Sequence, residues 1–277
     1  MSMCKFCGKD AGFLRSAHKE CLSTFERGKS EIVGLLSASA RGKLDPSVAN
    51  KDIKTIAHSS YIDEQTLKQT ALECLEHAID LALDDDLLSE EEESTLGDFI
   101  KRYDLNKAQL NTNQSYLKLV KAGILRDLRE GEIPNRVVLD GPLSINLQKS
   151  EQIIWVFQDV EYLQPRTKTT YEGRSSGVSF RVMKGVYYRV GQFKGNPIQT
   201  TQIVTVDKGI LVATNKNLYF VGGTKSLRIP FNKIVTFQPY SDAIAISRDR
   251  VIKQDIFKTG DGWFTFNLIS SVASAGS

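Results

Sequence analysis

The spacing of apolar residues changes from helical to alternating near residue 131, and that change limits the chain to an α+β arrangement with helices first and strands after. Upstream, Leu67, Ala71, Leu72, Leu75, Ala78, Ile79 and Ala82 recur at helical spacing, after an apolar face begun by Ile32, Val33, Leu35 and Leu36. Ser89 followed by Glu92 forms a capping box ahead of Leu96, Phe99 and Ile100. Leu117, Val120, Ile124, Leu125 and Leu128 mark a further amphipathic helix, and Gly131 and Pro134 end the helical part. From residue 136 to 260, Val, Ile, Tyr, Phe and Thr alternate with polar residues in short runs divided by Gly, Asn and Pro. Runs over Val178–Met183, Val186–Val190, Ile203–Val206, Ile210–Thr214, Leu218–Val221 and Ala243–Ser247 predict an antiparallel sheet folding on itself into a small sandwich or barrel. Asp207-Lys208-Gly209 and Asn215-Lys216-Asn217 are its tight-turn candidates. The tail from Trp263 to Ala273 alternates at first, and then Phe266, Leu268, Ile269 and Val272 suit a terminal helix that closes the sheet.

Ahead of both parts stands a C-x2-C-x10-H-x2-C array of Cys4, Cys7, His18 and Cys21, holding three of the chain's four cysteines. Two short chelating pairs joined by a loop suit tetrahedral zinc, which takes thiolate and imidazole ligands. Gly8 supplies the permissive backbone that a knuckle needs after the second cysteine. Ser16 is the expected cap of a helix starting near Ala17, which places His18 and Cys21 one turn apart on one face. A knuckle giving two ligands and a helix start giving two more resembles a treble-clef zinc finger, here over residues 1–28. Four protein ligands imply a closed, structural site. The fourth cysteine, Cys74, falls in an apolar stripe and reads as a small core residue, and His58 and His77 read as surface histidines.

Charge is strongly segregated along the chain. Residues 1–44 hold 8 basic and 4 acidic residues (+4), residues 45–100 hold 3 and 15 (−12), and residues 101–277 hold 25 and 14 (+11), which sum to +3. Such blocks suit separate domains, and the acidic and basic ones are complementary enough to dock on one another. The most basic stretch lies between Gln164 and Asn196, where Arg166, Lys168, Arg174, Arg181, Lys184, Arg189 and Lys194 face the single acid Glu172, for a net of +6. These seven are the candidate anion- or partner-binding residues.

The segment Leu83-Asp84-Asp85-Asp86-Leu87-Leu88-Ser89-Glu90-Glu91-Glu92-Glu93 resembles the Asp-rich turn and Glu-rich helix start of TerB-like (tellurite-resistance) helical domains, with Asp85-Asp86 where Asp-Gly is common. This reading covers residues 29–133. Further on, Lys149-Ser150-Glu151 leads into Ile154-Trp155-Val156-Phe157. Then come Ser179 to Gly191 and the run Asp207-Lys208-Gly209-Ile210-Leu211-Val212-Ala213-Thr214-Asn215-Lys216-Asn217-Leu218-Tyr219-Phe220-Val221-Gly222. Together they resemble bacterial pleckstrin-homology-like domains, which are themselves similar to GRAM domains, with Asn217 where Arg is usual. Over residues 140–277 the resemblance implies a seven-stranded bent sheet, a C-terminal helix and a binding role rather than catalysis.

Catalytic patterns are missing from the sequence. Gly222-Gly223 lacks the lysine and serine of a phosphate loop, no G-x-S-x-G occurs, and Asp207 and Asp242 are expected at strand ends or turns. A calcium loop counted from Asp84 puts Leu88, Ser89 and Thr95 where an oxygen ligand, Gly and Glu are required. The longest strongly apolar run, Ile153 to Phe157, is about five residues against roughly 20 for a spanning helix. The first residues have no apolar signal segment, and thiols in a metal-like array suit a reducing cytoplasm. The sequence therefore predicts a non-enzymatic cytoplasmic adaptor or sensor of bacterial or phage origin, recognising a protein through the finger and the sheet domain. Two alternative partners fit the same residues. One is a nucleic acid, met by Lys5, Lys9, Arg15 and Lys19 with Phe6 and Phe13 stacking on bases, together with the basic stretch from Arg166 to Lys194. The other is an anionic lipid, met by the basic sheet domain.

Overall fold

The computed structural model describes residues 2–84, 88–110, 114–138, 141, 144–172, 175–183, 186–193 and 196–275. They form two compact units, Met1–Glu132 and Ile133–Ser277.

The first unit is helical beyond its N-terminal loop: α1 (Lys19–Ala40), α2 (Pro46–Ser59), α3 (Glu64–Ala82), α4 (Glu90–Arg102), the one-turn α5 (Lys107–Leu110) and α6 (Ser115–Arg129). Short polar side chains start three of them. Asp45 accepts from Ser47 N–H and Asp63 from Thr66 N–H, each at 2.7 Å, and Ser89 and Glu92 make the reciprocal capping box. The start of α1 differs from expectation. It begins at Lys19 with His18 at the N-cap and no side-chain cap, because the His18 ring is turned into the cysteine cluster instead of onto the helix end. Ile32, Leu36, Ile53, Leu75, Ile79, Leu96 and Phe99 fill one apolar core. A Cβ on Gly28 would lie 2.1 Å from Ser60 Oγ, so glycine here permits α1 to approach the end of α2.

The Tyr103 ring packs tilted against Phe99, centroids 4.6 Å apart, and its buried hydroxyl has no hydrogen-bond partner among the described residues. An unpaired buried O–H carries its desolvation cost without return. Tyr103→Phe is therefore expected to raise stability by about 1 kcal/mol, or a few degrees in Tm. A lower melting temperature by calorimetry would contradict this reading.

The second unit is built on β1 (Ile153–Glu172), β2 (Ser175–Met183), β3 (Val186–Phe193), β4 (Asn196–Thr214), β5 (Asn217–Gly222), β6 (Ser226–Pro230), β7 (Ile234–Pro239), β8 (Ala243–Arg248) and β9 (Asp255–Lys258), followed by α7 (Gly262–Ala275). Seven strands form one antiparallel sheet in the order β6-β5-β4-β1-β9-β8-β7. The expected barrel does not close. Its two ends, β6 and β7, are consecutive in the chain, yet Pro230 and the 3-10 turn Phe231–Lys233 redirect the backbone and they do not pair. α7 packs against β7, β8 and that turn, seating Phe264 5.2 Å from Trp155 and 5.9 Å from Phe157. The helix starts at Gly262, so the alternation around Trp263 belongs to a helix rather than a strand.

A second correction concerns Asp207-Lys208-Gly209, which lies inside β4 and makes no turn. Asp207 instead holds the neighbouring β5–β6 hairpin: its carboxylate accepts from Thr224 N–H and Lys225 N–H at 2.7 Å each and from Lys208 N–H at 2.8 Å. Despite some desolvation, these backbone donors, Thr224 first, pull its pKa to about 2. The Asn215–Asn217 turn is found as expected, between β4 and β5.

Two buried carboxylates tie the sheet together. Glu151, 7% exposed, accepts from Thr214 Oγ1 (2.6 Å) and Asn217 Nδ2 (2.8 Å) on one oxygen, and from Tyr219 Oη (2.9 Å) and Gln148 N–H (2.7 Å) on the other. Asp255, fully buried, accepts from Tyr162 Oη at 2.5 Å and Gln164 Nε2 at 3.2 Å. Arg248 Nε lies 2.6 Å from its other oxygen, an ion pair out of line for a hydrogen bond. Burial, then the carboxylate beside it, raises the Tyr162 pKa.

β1 and β4 run on past their other neighbours. β9 pairs with β1 only from Glu161 to Leu163, and β5 with β4 only from Gly209 to Ala213. Register between β1 and β4 nevertheless continues from Pro165↔Ile203 to Glu172↔Asn196, and pairing resumes at Ser175↔Phe193 in the β2–β3 hairpin. The outer part of the unit is thus a two-stranded ribbon.

Candidate metal centre

The first loop folds back on itself before α1 begins. Gly8, at φ +69°, donates its N–H to Cys4 O at 2.9 Å, Cys4 N–H donates to Lys9 O at 2.7 Å, and Met3 bridges Asp10. This knuckle turns the Cys4 and Cys7 thiols to one side, and the start of α1 brings His18 and Cys21 to meet them. All four donor atoms lie within 4.8 Å of one another, close enough to hold a metal ion. His18 Nδ1 stands 3.4 Å from Cys7 Sγ and 3.7 Å from Cys21 Sγ. Bond lengths of about 2.0–2.3 Å in a tetrahedron place neighbouring donors about 3.3–3.8 Å apart, so the residues fit such an ion.

The outer surroundings fix how each donor would bind. His18 Nε2 lies 2.9 Å from Asp10 O, so that nitrogen carries the proton and Nδ1 is left for the ion. This ligand atom could not be read from spacing. Burial opposes ionisation of Cys4, but backbone N–H groups of Cys7, His18 and Phe6 overcome it and bring the thiol down to about 6. Burial pushes Cys21 up to about 11, aided by the neighbouring Cys7 and Cys4 sulfurs. A cation among the sulfurs would favour the Cys21 thiolate that burial and its neighbours oppose. Phe6 packs on Phe25 of α1 at 5.0 Å and on Tyr61 at 5.9 Å, joining the loop to the helices. Phe6 is thus a packing residue, whereas Phe13 and Leu14 are 88% and 87% exposed. Ser2 Oγ lies 2.8 Å from Gly12 O and 2.6 Å from Arg15 O, which pins the two ends of their loop.

No second group of three or more His, Cys, Asp or Glu donors converges among the described residues. His58 and His77 are exposed, and Cys74 is buried beside Ser37. Of the seven basic residues, Arg166 and Lys168 are exposed on β1. Arg181 and Arg189 lie on β2 and β3 with their side chains outside the described atoms, and Arg174, Lys184 and Lys194 lie outside the described residues, as do Asp85 and Asp86. No helix among the described residues is long and apolar enough to cross a membrane. No family model, curated protein or solved structure matches this chain.

Proposed function

We propose that this chain is a non-enzymatic binding protein, an adaptor or sensor, in which zinc held by Cys4, Cys7, His18 and Cys21 rigidifies a loop that recognises a protein partner. The observation that carries this is the pairing of a four-donor cluster with an exposed apolar tip. Four protein ligands complete the coordination of zinc, so the ion braces the loop and no position is left to activate water. The braced loop projects Phe13 and Leu14 away from the fold, with Leu14 in the left-handed region at φ +58°. Strain held by surrounding hydrogen bonds is a feature of recognition sites, and large exposed side chains at such a tip are the anchors that protein interfaces bury. A pleckstrin-homology-like reading of the second unit is supported by its seven-stranded antiparallel sheet followed by a helix. The TerB-like reading of the first is supported by its helices and by the capping box ahead of Glu90–Glu93.

The test is affinity capture from the native host with the wild-type chain and with Phe13→Asp/Leu14→Asp. A partner held by the wild type and lost from the variant, with zinc content equal in both, is the expected result. An identical set of captured proteins would remove the loop from recognition.

A further inference from the structure

An open groove of about 540 Å³ runs between α1 and α2, lined by Glu31, Gly34, Leu35, Asp52, Thr55 and Ile56. Leu35 and Ile56 are half-buried: their inner sides join the helical core and their outer sides floor the groove. The two charged residues that line it are both acids, and neither Glu31 nor Asp52 pairs with a cation among the described residues. Gly34 lies exposed well inside α1, where glycine weakens a helix relative to alanine. Gly28 in the same helix is required by the approach of Ser60, whereas a Cβ on Gly34 would meet nothing within 4 Å, and its φ is not positive. Packing inside the chain therefore does not call for the missing side chain. The room it leaves is on the outside, in the groove.

We infer that the groove receives the Phe13-Leu14 tip of a second copy of this chain, so that copies associate head to tail. The inference rests on the reading of that tip as a recognition element and names its partner. Phe13 and Leu14 are 88% and 87% exposed, so neither is seated on its own fold. Seated in the groove, they meet the outer sides of Leu35 and Ile56, and Gly34 lets them approach the α1 backbone. Charge selects the same occupant. Arg15 follows the tip directly, Lys9 and Lys19 flank the loop, and all three are exposed and outside any ion pair among the described residues. The one acid of the loop, Asp10, is engaged by Gly12 N–H at 3.0 Å. Cations around an apolar tip thus face acids around an apolar floor, which fixes orientation and favours this pairing over others. A nucleic acid or an anionic bilayer would instead meet Glu31 and Asp52 with like charge. Tip and groove are different surfaces, so the contact is heterologous: each copy offers its tip to one neighbour and its groove to another.

The test is sedimentation velocity of the full, zinc-loaded chain. A contact confined to one groove falls in the weak class of interfaces, so concentrations run from about 5 to about 200 µM. The wild type should gain mass as concentration rises. Phe13→Asp/Leu14→Asp removes the tip, and Gly34→Arg fills the groove and repels the incoming Arg15. Each should associate at least about thirtyfold more weakly, the loss expected at an interface hot spot. Both changes fall at exposed positions and a side chain at 34 has room, so circular dichroism and zinc content should match the wild type. Glu31→Lys/Asp52→Lys, which keeps the groove's shape, should weaken association as well. The mixture is the most selective arm. The tip variant keeps its groove and the groove variant keeps its tip, so equal parts should form a one-to-one pair that grows no further. The inference is overturned by a wild type that stays monomeric at the top concentration, by either single-site class of variant associating as the wild type does, or by a mixture that forms no pair. A host protein captured by the wild type and by Gly34→Arg but not by the tip variant, from a chain that stays monomeric, overturns it too and leaves the recognition reading standing.

Discussion

Cys4→Ser is expected to empty the cluster of zinc and unfold the first loop. Purified wild-type protein should carry about one zinc per chain and the variant nearly none. Cys4 is 2% exposed and sits at the knuckle, where its own N–H and C=O make the two bonds that shape the turn. Without the ion, three sulfurs are crowded together with no charge between them to offset the repulsion of their thiolates, and a loop of this length has too little apolar surface to order itself. Structural zinc in small fingers supplies roughly 10–16 kcal/mol of apparent binding free energy, so its loss exceeds any other single effect here. Amide protection over residues 2–24 should fall by at least about a hundredfold, while α3 and α4 keep theirs because their core lies elsewhere. Tyr61, which packs on Phe6, should become more exposed. Cys74→Ser is the control: it removes a buried thiol outside the cluster and should leave zinc content alone. A Cys4→Ser protein with full zinc and unchanged exchange would show that the cluster does not hold the loop.

How much of this was legible in advance depended on how local each signal was. The four-donor cluster was readable because Cys4 and Cys7, and His18 and Cys21, are each separated by only two residues, where spacing alone dictates approach. The capping box at Ser89 and Glu92 was readable for the same reason. Ser16 misled because His18 takes the N-cap position while its ring serves the cluster, a competition that propensity does not register. Asp207-Lys208-Gly209 has the composition of a turn, yet a Cβ on Gly209 would lie 2.0 Å from Val221 O, so the glycine serves close strand approach in mid-sheet. Sheet closure was beyond the pattern altogether, since it depends on whether β6 and β7 meet after one 3-10 turn. The ribbon was hidden differently. Alternation in its strands looks like that of any half-buried sheet, and only the register shows that among the described residues no third strand pairs beside Arg166 to Lys168. Phe6 and Phe13 looked equivalent in sequence, and packing on Phe25 and Tyr61 separated them.

Glu151→Leu should destabilise the sheet unit by about 3–5 kcal/mol, because it strands four donors that now converge on one carboxylate. Thr214 and Asn217 bond one oxygen, Tyr219 and Gln148 the other. Glu151→Gln is also costly in spite of its shape, since its NH2 must face donors on whichever side it takes. All four donors are uncharged, so the buried charge is met by neutral dipoles instead of a cation. Burial pushes the Glu151 pKa up, but the Asn217, Gln148, Thr214 and Tyr219 donors outweigh it and the net shift is downward. A carboxylate held below its unfolded value near 4.5 contributes stability that is fully present above that pH and is lost as pH falls through the folded value. The wild-type unit should therefore lose stability in acid more steeply than Glu151→Leu, whose deficit at neutral pH should shrink below about pH 4. Parallel denaturant midpoints for the two proteins at neutral and acid pH would show that folding leaves the Glu151 pKa unshifted, and a wild-type advantage that grows in acid would show that Glu151 is uncharged in the fold. In that case the four donors would be holding a carboxylic acid, and its own O–H would have to compete with Tyr219 or Gln148 for the second oxygen.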